Sequence, residues 1–149
     1  MIERTHPPAP SFDVFVSYRQ QEPDLSWVRC VLVPRFKADN LSVFIDCESF
    51  RLGVPLVKEM GRGVESSRYT VAVITPRYLE SGFTELESVL AQHVGLEQRK
   101  HRLVPVLREA SAPWLGVRAV IGIDMSDDST FETDAARLCA HLHTDTGGP

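Results

Sequence analysis

Apolar positions along the chain follow two alternating rhythms. Phe12 to Tyr18 (FDVFVSY) concentrates aromatic and β-branched residues and predicts a strand. From Asp24 to Ala38 the apolar residues Leu25, Val28, Leu32 and Phe36 recur at helical spacing. Pro34 lies inside that run and predicts a kink or an early stop. Leu41 to Asp46 (LSVFID) reads as a second strand, residues 47–53 as a polar loop, and Val54 to Val64 as a helix. Tyr69 to Thr75 (YTVAVIT) is nearly all apolar, the pattern of a central parallel strand buried on both faces, and Thr75-Pro76 ends it. A helix over Phe83 to Gln98 follows, with Leu86, Leu90 and Val94 on one side. Arg102 to Leu107 and Ala119 to Asp124 give two short strands. Thr130 to His143 gives a last helix carrying Phe131, Ala135, Leu138 and Leu142 on one side.

Five strand–helix units in order predict an α/β fold, a parallel sheet between two helical layers joined by right-handed crossovers. In such sheets ligands bind beyond the carboxyl ends of the strands. The loops after Tyr18, Asp46, Thr75 and Leu107 are therefore where chemistry is expected. The proline-rich start and the TDTGGP ending read as flexible tails, giving tails over 1–10 and 144–149 around one domain over 11–143.

Composition narrows the function. The 149 residues carry a net charge of −4, which argues against a broad electrostatic grip on nucleic acid or an anionic membrane. No apolar run approaches the roughly 18 residues that span a bilayer. MIERTHPPAP has no apolar core and is not a secretory signal, so a cytoplasmic setting is expected. Cys30, Cys47 and Cys139 are scattered without CxxC spacing, and His141-x-His143 lacks nearby partners. Neither a disulfide framework nor a metal site is expected.

Gly61-x-Gly63 has Ser66 where a third glycine would stand, and it falls at a helix end, so it cannot cradle a dinucleotide phosphate. No GxxxxGK[ST] loop and no GxSxG elbow occurs. What remains is a set of polar and aromatic residues at the strand ends. Ser17, Tyr18, Arg19 and Gln20 follow the first strand; Asp46, Glu48, Phe50 and Gly53 follow the second; Phe83, Glu85 and Glu87 follow the third. A plain structural account is also open, in which Asp46 caps a turn, Arg19 pairs with it and the aromatics close the core. Spacing alone does not choose between Glu85 and Glu87, which lie about 200° apart around a helix.

FDVFVSY (12–18), NLSVFIDCESFRLGVPLVKEM (40–60) and SSRYTVAVITPRYLESGFTELESVL (66–90) resemble, in order and separation, three segments of Toll/interleukin-1 receptor (TIR) domains. The resemblance covers about 11–143 and implies the flavodoxin-like fold of that family, a five-stranded parallel sheet flanked by helices. Some TIR domains only bind other TIR domains; others, bacterial, plant and animal, cleave NAD+. The cleaving members have a glutamate four residues after an aromatic, usually Trp, and Phe83 and Glu87 hold that spacing. Tyr18-Arg19 and Phe44-Ile45-Asp46-x-Glu48 match further family positions. The chain departs from the family in Phe83 itself, in Gln20 where an Arg is found, and in Phe131-Glu132 where a Phe-Trp pair is common.

The resemblance implies NAD+ as substrate rather than cofactor, with no metal. Glu87 is the implied catalytic residue, and Tyr18, Arg19, Asp46, Glu48, Phe50 and Phe83 are the implied substrate contacts. It leaves Glu85 as a solvated charge that suits a helix N-terminus. It also implies self-association, or contact with other TIR domains, through the loop over 46–55, in immune or antiphage signalling. A non-catalytic interaction module is the alternative. A phosphoacceptor receiver domain has the same sheet but needs an acidic cluster where this chain has Ser17-Tyr18.

Overall fold

The computed structural model describes residues 11–80, 82–93, 102–109 and 122–144. Strands β1 (Phe12–Ser17), β2 (Val43–Phe44), β3 (Ser67–Ile74), β4 (Leu103–Leu107) and β5 (Ile123–Asp124) form one parallel sheet in the order β2-β1-β3-β4-β5. This is the expected α/β flavodoxin-like arrangement. Its strand order reverses between β1 and β3, the position at which doubly wound sheets open a crevice.

Alternation along the inner strands sorts the core into two layers. Val14 and Val16 of β1, with Val71 and Val73 of β3, face Trp27, Val28, Leu32, Phe36, Leu138 and Leu142. Phe15, Ala72 and Ile74 face the other way, toward Phe44, Met60, Val64, Tyr78 and Leu86. Period-two side chains on a strand buried on both sides produce this sorting without a polar face.

The first helical segment does not stop at Pro34. It runs as α1 (Asp24–Trp27), a π-helical turn (Val28–Leu32) and α2 (Val33–Ala38), with Pro34 in the first turn of α2. The widened turn just before Pro34 accommodates a residue that cannot donate to the helical ladder. It also fits the sequence spacing. Asp24, Val28, Leu32 and Phe36 are all buried at intervals of four, and at 100° per residue such a series drifts about 120° around an ordinary helix. A wide turn reduces that drift.

Other boundaries shift. β2 pairs over two residues rather than six, because Ser42 N–H donates to Asp13 Oδ2 (2.8 Å) and the chain turns helical at Asp46. The segment read as loop begins with a helical turn, α3 (Asp46–Ser49), closed by Glu48 and Ser49 N–H groups on the Ile45 carbonyl at 3.0 and 2.8 Å. Then follow α4 (Leu56–Ser66), α5 (Pro76–Glu80), α6 (Gly82–His93) and, after a 3₁₀ turn at Asp128–Thr130, α7 (Phe131–Leu142). The predicted tail over 1–10, residues 145–149 of the predicted tail over 144–149, residues 94–98 of the predicted third helix and 119–121 of the predicted last strand lie outside the described residues. Thr144, the first residue of that second tail, is held by Arg68 and Tyr69. Among the described residues no helix is long and apolar enough to cross a membrane.

Candidate functional site

A cleft of about 350 Å³ opens at the carboxyl end of β1, at the strand-order reversal. The β1–α1 connection contributes Ser17 through Gln21, the turn after β2 contributes Asp46 and Phe50, α4 contributes Leu56 and Met60, α5 contributes Tyr78 and α6 contributes Glu85. Four of the expected site residues, Tyr18, Arg19, Asp46 and Phe50, thus meet in one place.

One wall is a closed hydrogen-bonded group. Tyr18 O–H donates to Asp46 Oδ1 at 2.6 Å, Arg29 Nε donates to Tyr18 Oη at 2.7 Å, and Arg29 Nη2 donates to Asp46 Oδ2 at 2.9 Å. Burial, with Asp46 accepting its proton, holds the Tyr18 phenol well above its ordinary range. Both Asp46 oxygens are engaged, so this carboxylate fixes the wall and is poorly placed to take a proton from a ligand. The partner of Asp46 is therefore Arg29, not Arg19. Arg19 instead donates to Gln21 Oε1 at 2.6 Å and to the Glu22 carbonyl at 3.4 Å, with its guanidinium on the cleft surface.

The floor is Ser17 and Tyr78, whose hydroxyls lie 2.8 Å apart in the buried interior. Burial raises the Tyr78 phenol, and the negative charge of Glu85 raises it further. Both acids of the pair on α6 are exposed; Glu85 lines the cleft and Glu87 does not. Partial desolvation by its neighbours raises the Glu87 carboxyl above its ordinary value. Phe83, an implied substrate contact, does not line the cleft. It is 3% exposed and packs edge-on to Tyr78, ring centroids 5.8 Å apart, beneath the cleft. The reason is the apolar stripe Phe83, Leu86, Val89 and Leu90, which seats α6 on the sheet. Glu48 is likewise turned away, held by Lys37 at 2.7 Å.

The loop between α3 and α4 is tied to α4 by one carboxylate. Glu59, 1% exposed, accepts from the Arg51 N–H and Arg51 Nη2, each at 2.7 Å, and from Arg62 Nη2 at 2.9 Å. The Arg62 and Arg51 guanidinium groups hold its carboxyl far below the usual range. Arg62 also lies 4.9 Å above the Phe44 ring and donates to the Ser49 carbonyl. Phe50 packs against Phe44 and Phe15, at 5.9 and 6.4 Å between centroids, and so closes one side of the cleft. Beyond it Leu52 stands 99% exposed, followed by Gly53 at φ 79°.

Sequence reasoning did not single out Arg29, Tyr78 or Glu59. Tyr78 stood only as part of the resembling turn TPRYLES, and Glu59 carries no spacing signal of its own. Arg29 gave a weak one, since it sits beside the Leu25–Val28–Leu32 stripe instead of opposite it.

The TIR domain family profile matches residues 14–139. Among curated proteins, Toll-like receptor 6 of Mus musculus is 28% identical over 98 residues and that of Homo sapiens 26% over 98. Each match takes in 66% of this chain, which spans 12% of the length of those receptors. Among solved structures, the TIR domain of a Toll-related receptor from Hydra magnipapillata superposes with a TM-score of 0.73 at 17% identity, covering 90% of this chain and 100% of that one. A metazoan TIR-STING receptor from C. gigas gives 0.72 at 16% identity, covering 95% and 43%. A prokaryotic SEFIR domain gives 0.66 at 14% identity, covering 89% and 92%. At these identities the likeness is one of fold.

Proposed function

We propose that this chain, which belongs to the TIR domain family, cleaves the nicotinamide–ribose bond of NAD+. The products are nicotinamide and ADP-ribose or a cyclic isomer, and the reaction is switched on by self-association in immune or defence signalling. The observation that carries this reading is the cleft at the β1/β3 reversal, which combines an arginine, a buried aromatic wall and an α6 carboxylate.

Nicotinamide leaves a cationic substrate as a neutral molecule, so no proton need be delivered to it. The transition state carries positive charge on the ribose, and one nearby carboxylate stabilises it. Glu85 is the carboxylate that the cleft offers; Glu87 is the one that the resemblance offers. Arg19 suits the pyrophosphate, for which a planar, always-charged guanidinium is fitted. The Tyr18–Asp46–Arg29 group keeps the wall rigid, and Phe50 supplies an aromatic face toward the cleft.

Nicotinamide release from NAD+ by concentrated protein, in wild type and in separate Glu85→Ala and Glu87→Ala variants, tests the reading. Loss in one variant alone identifies the carboxylate. No release by the wild type under crowding refutes the enzyme.

A second reading is favoured by one observation, the fully exposed Leu52 at the tip of the loop, with Leu56 and Val57 also exposed nearby. In that reading the chain is a non-catalytic module that binds TIR domains through this apolar tip.

A further inference from the structure

Beside the cleft just described lies a smaller one of about 210 Å³, lined by Arg19, Pro23, Asp24, Thr75, Arg77 and Glu109. We propose that it holds the adenosine ribose of the substrate, with Arg19 between the two clefts against the pyrophosphate; this rests on the NAD+ reading above.

Size is the first argument. Small-molecule sites commonly enclose about 300–1,000 Å³. The main cleft is near the lower limit and the second falls below it, so neither alone suits a dinucleotide. Arg19 lines both, so they meet at that side chain, and together they fall well inside the range.

Polarity is the second. Asp24 is 4% exposed, and its carboxylate accepts from Thr75 Oγ1 at 3.2 Å. A buried carboxylate has room for about four hydrogen bonds and is costly to desolvate with few. Burial raises the Asp24 carboxyl, Glu109 adds to this, and Arg19 and Arg108 only partly oppose it. The fold therefore lines this cleft with a buried carboxylate that holds one side-chain hydrogen bond, from Thr75. A ribose diol brings two donors, and acidic residues hold ribose hydroxyls in this way at other strand-end sites.

Charge is the third. Around the buried Asp24, the exposed Glu109 adds a second negative charge that repels a phosphate, while Arg19 and the exposed Arg77 attract one. The same two guanidinium groups disfavour a divalent cation there. A ligand with hydroxyls for Asp24 and an anion for Arg19 matches these charges, and nicotinamide mononucleotide, which lacks the adenosine half, would leave the second cleft empty.

The test compares kcat/KM for NAD+ and for nicotinamide mononucleotide in wild type, Asp24→Asn and Glu109→Gln. Asp24→Asn keeps an acceptor for Thr75, and circular dichroism checks that it folds. The ratio of the two kcat/KM values should fall about ten-fold or more in Asp24→Asn, the worth of one hydrogen bond to a charged group, and less in Glu109→Gln. An unchanged ratio overturns the proposal. If the wild type cleaves neither compound the reading of the main cleft fails, and calorimetric binding of ADP-ribose then decides this one. Weaker binding in Asp24→Asn than in wild type supports the second cleft, and no binding to wild type, or equal binding, overturns it.

Discussion

Replacing Tyr18 with Phe removes one oxygen from the wall of the cleft and nothing else. That oxygen donates to Asp46 at 2.6 Å and accepts from Arg29 at 2.7 Å. Hydrogen bonds to charged groups contribute about 1.5–3 kcal/mol each, so two lost bonds set an upper limit near twice that. The limit is not reached, because Arg29 and Asp46 keep each other at 2.9 Å and their side chains are 32% and 13% exposed. Water can reach what the hydroxyl leaves. A cost of about 2 kcal/mol follows, which for a chain of this size lowers Tm by roughly 4–8 °C. Urea unfolding should show the midpoint falling with the slope unchanged. In a cycle with Arg29→Ala the two losses should fail to add, since both variants remove the same bond.

The same variant has a signature in alkali. The folded Tyr18 phenol titrates above the unfolded value near 10. Its contribution is therefore complete below about pH 10 and is lost as pH rises from there toward the folded value. Tyr78 behaves in the same way for reasons of burial. Wild-type stability should fall above pH 10 by up to about 2.7 kcal/mol per pH unit for the two phenols, and by half that in Tyr18→Phe. A variant with the wild-type midpoint and the wild-type alkaline slope would refute the assignment of this hydroxyl to the wall.

Gly63→Ala should destabilise by up to about 2 kcal/mol in thermal unfolding. A methyl there comes within 2.8–3.0 Å of three carbons of the buried Phe15 ring, and overpacking of about 1–3 kcal/mol outweighs a helix-propensity gain of about 1 kcal/mol; a stabilised variant would show that Phe15 yields. Asp24→Asn should raise the urea midpoint at pH 7, because burial lifts the Asp24 carboxyl and its ionised form weakens the fold once pH exceeds the unfolded carboxylate value near 4. The gain should shrink toward pH 3, and a loss at pH 7 would count against the stated cause. Leu52→Asp should leave Tm within about 1 °C, since the side chain contacts almost nothing, while reducing any self-association seen by light scattering.

The layers of the fold were legible because strand and helix periods are local. FDVFVSY and YTVAVIT state their own burial, and the five-unit alternation leaves few topologies. Tyr18, Arg19, Asp46 and Phe50 were legible as a group for the same reason, since each lies just past a strand end. Glu85 and Glu87 were not, because neighbouring helical positions differ by 100° each and the first residue of α6 decides which acid meets the cleft. Glu48 and Phe83 misled for a related reason. A helical turn at Asp46–Ser49 sends Glu48 to Lys37, and the apolar stripe of α6 takes Phe83 inward. Arg29 needed the widened turn, which no propensity announces.

That widened turn separates two things that chain length usually controls together. Deleting the exposed Val31 would convert the buried series from intervals of four, four and four to four, three and four, the spacing of an ordinary amphipathic helix. The helix on either side could then keep its seat on the sheet. What would go is the local unwinding that carries Arg29 to Tyr18 and Asp46. A single-residue deletion at this point would therefore be tolerated as architecture and felt as a rewiring of the cleft, so relatives one residue shorter here should hold Asp46 by some other cation or leave it to water.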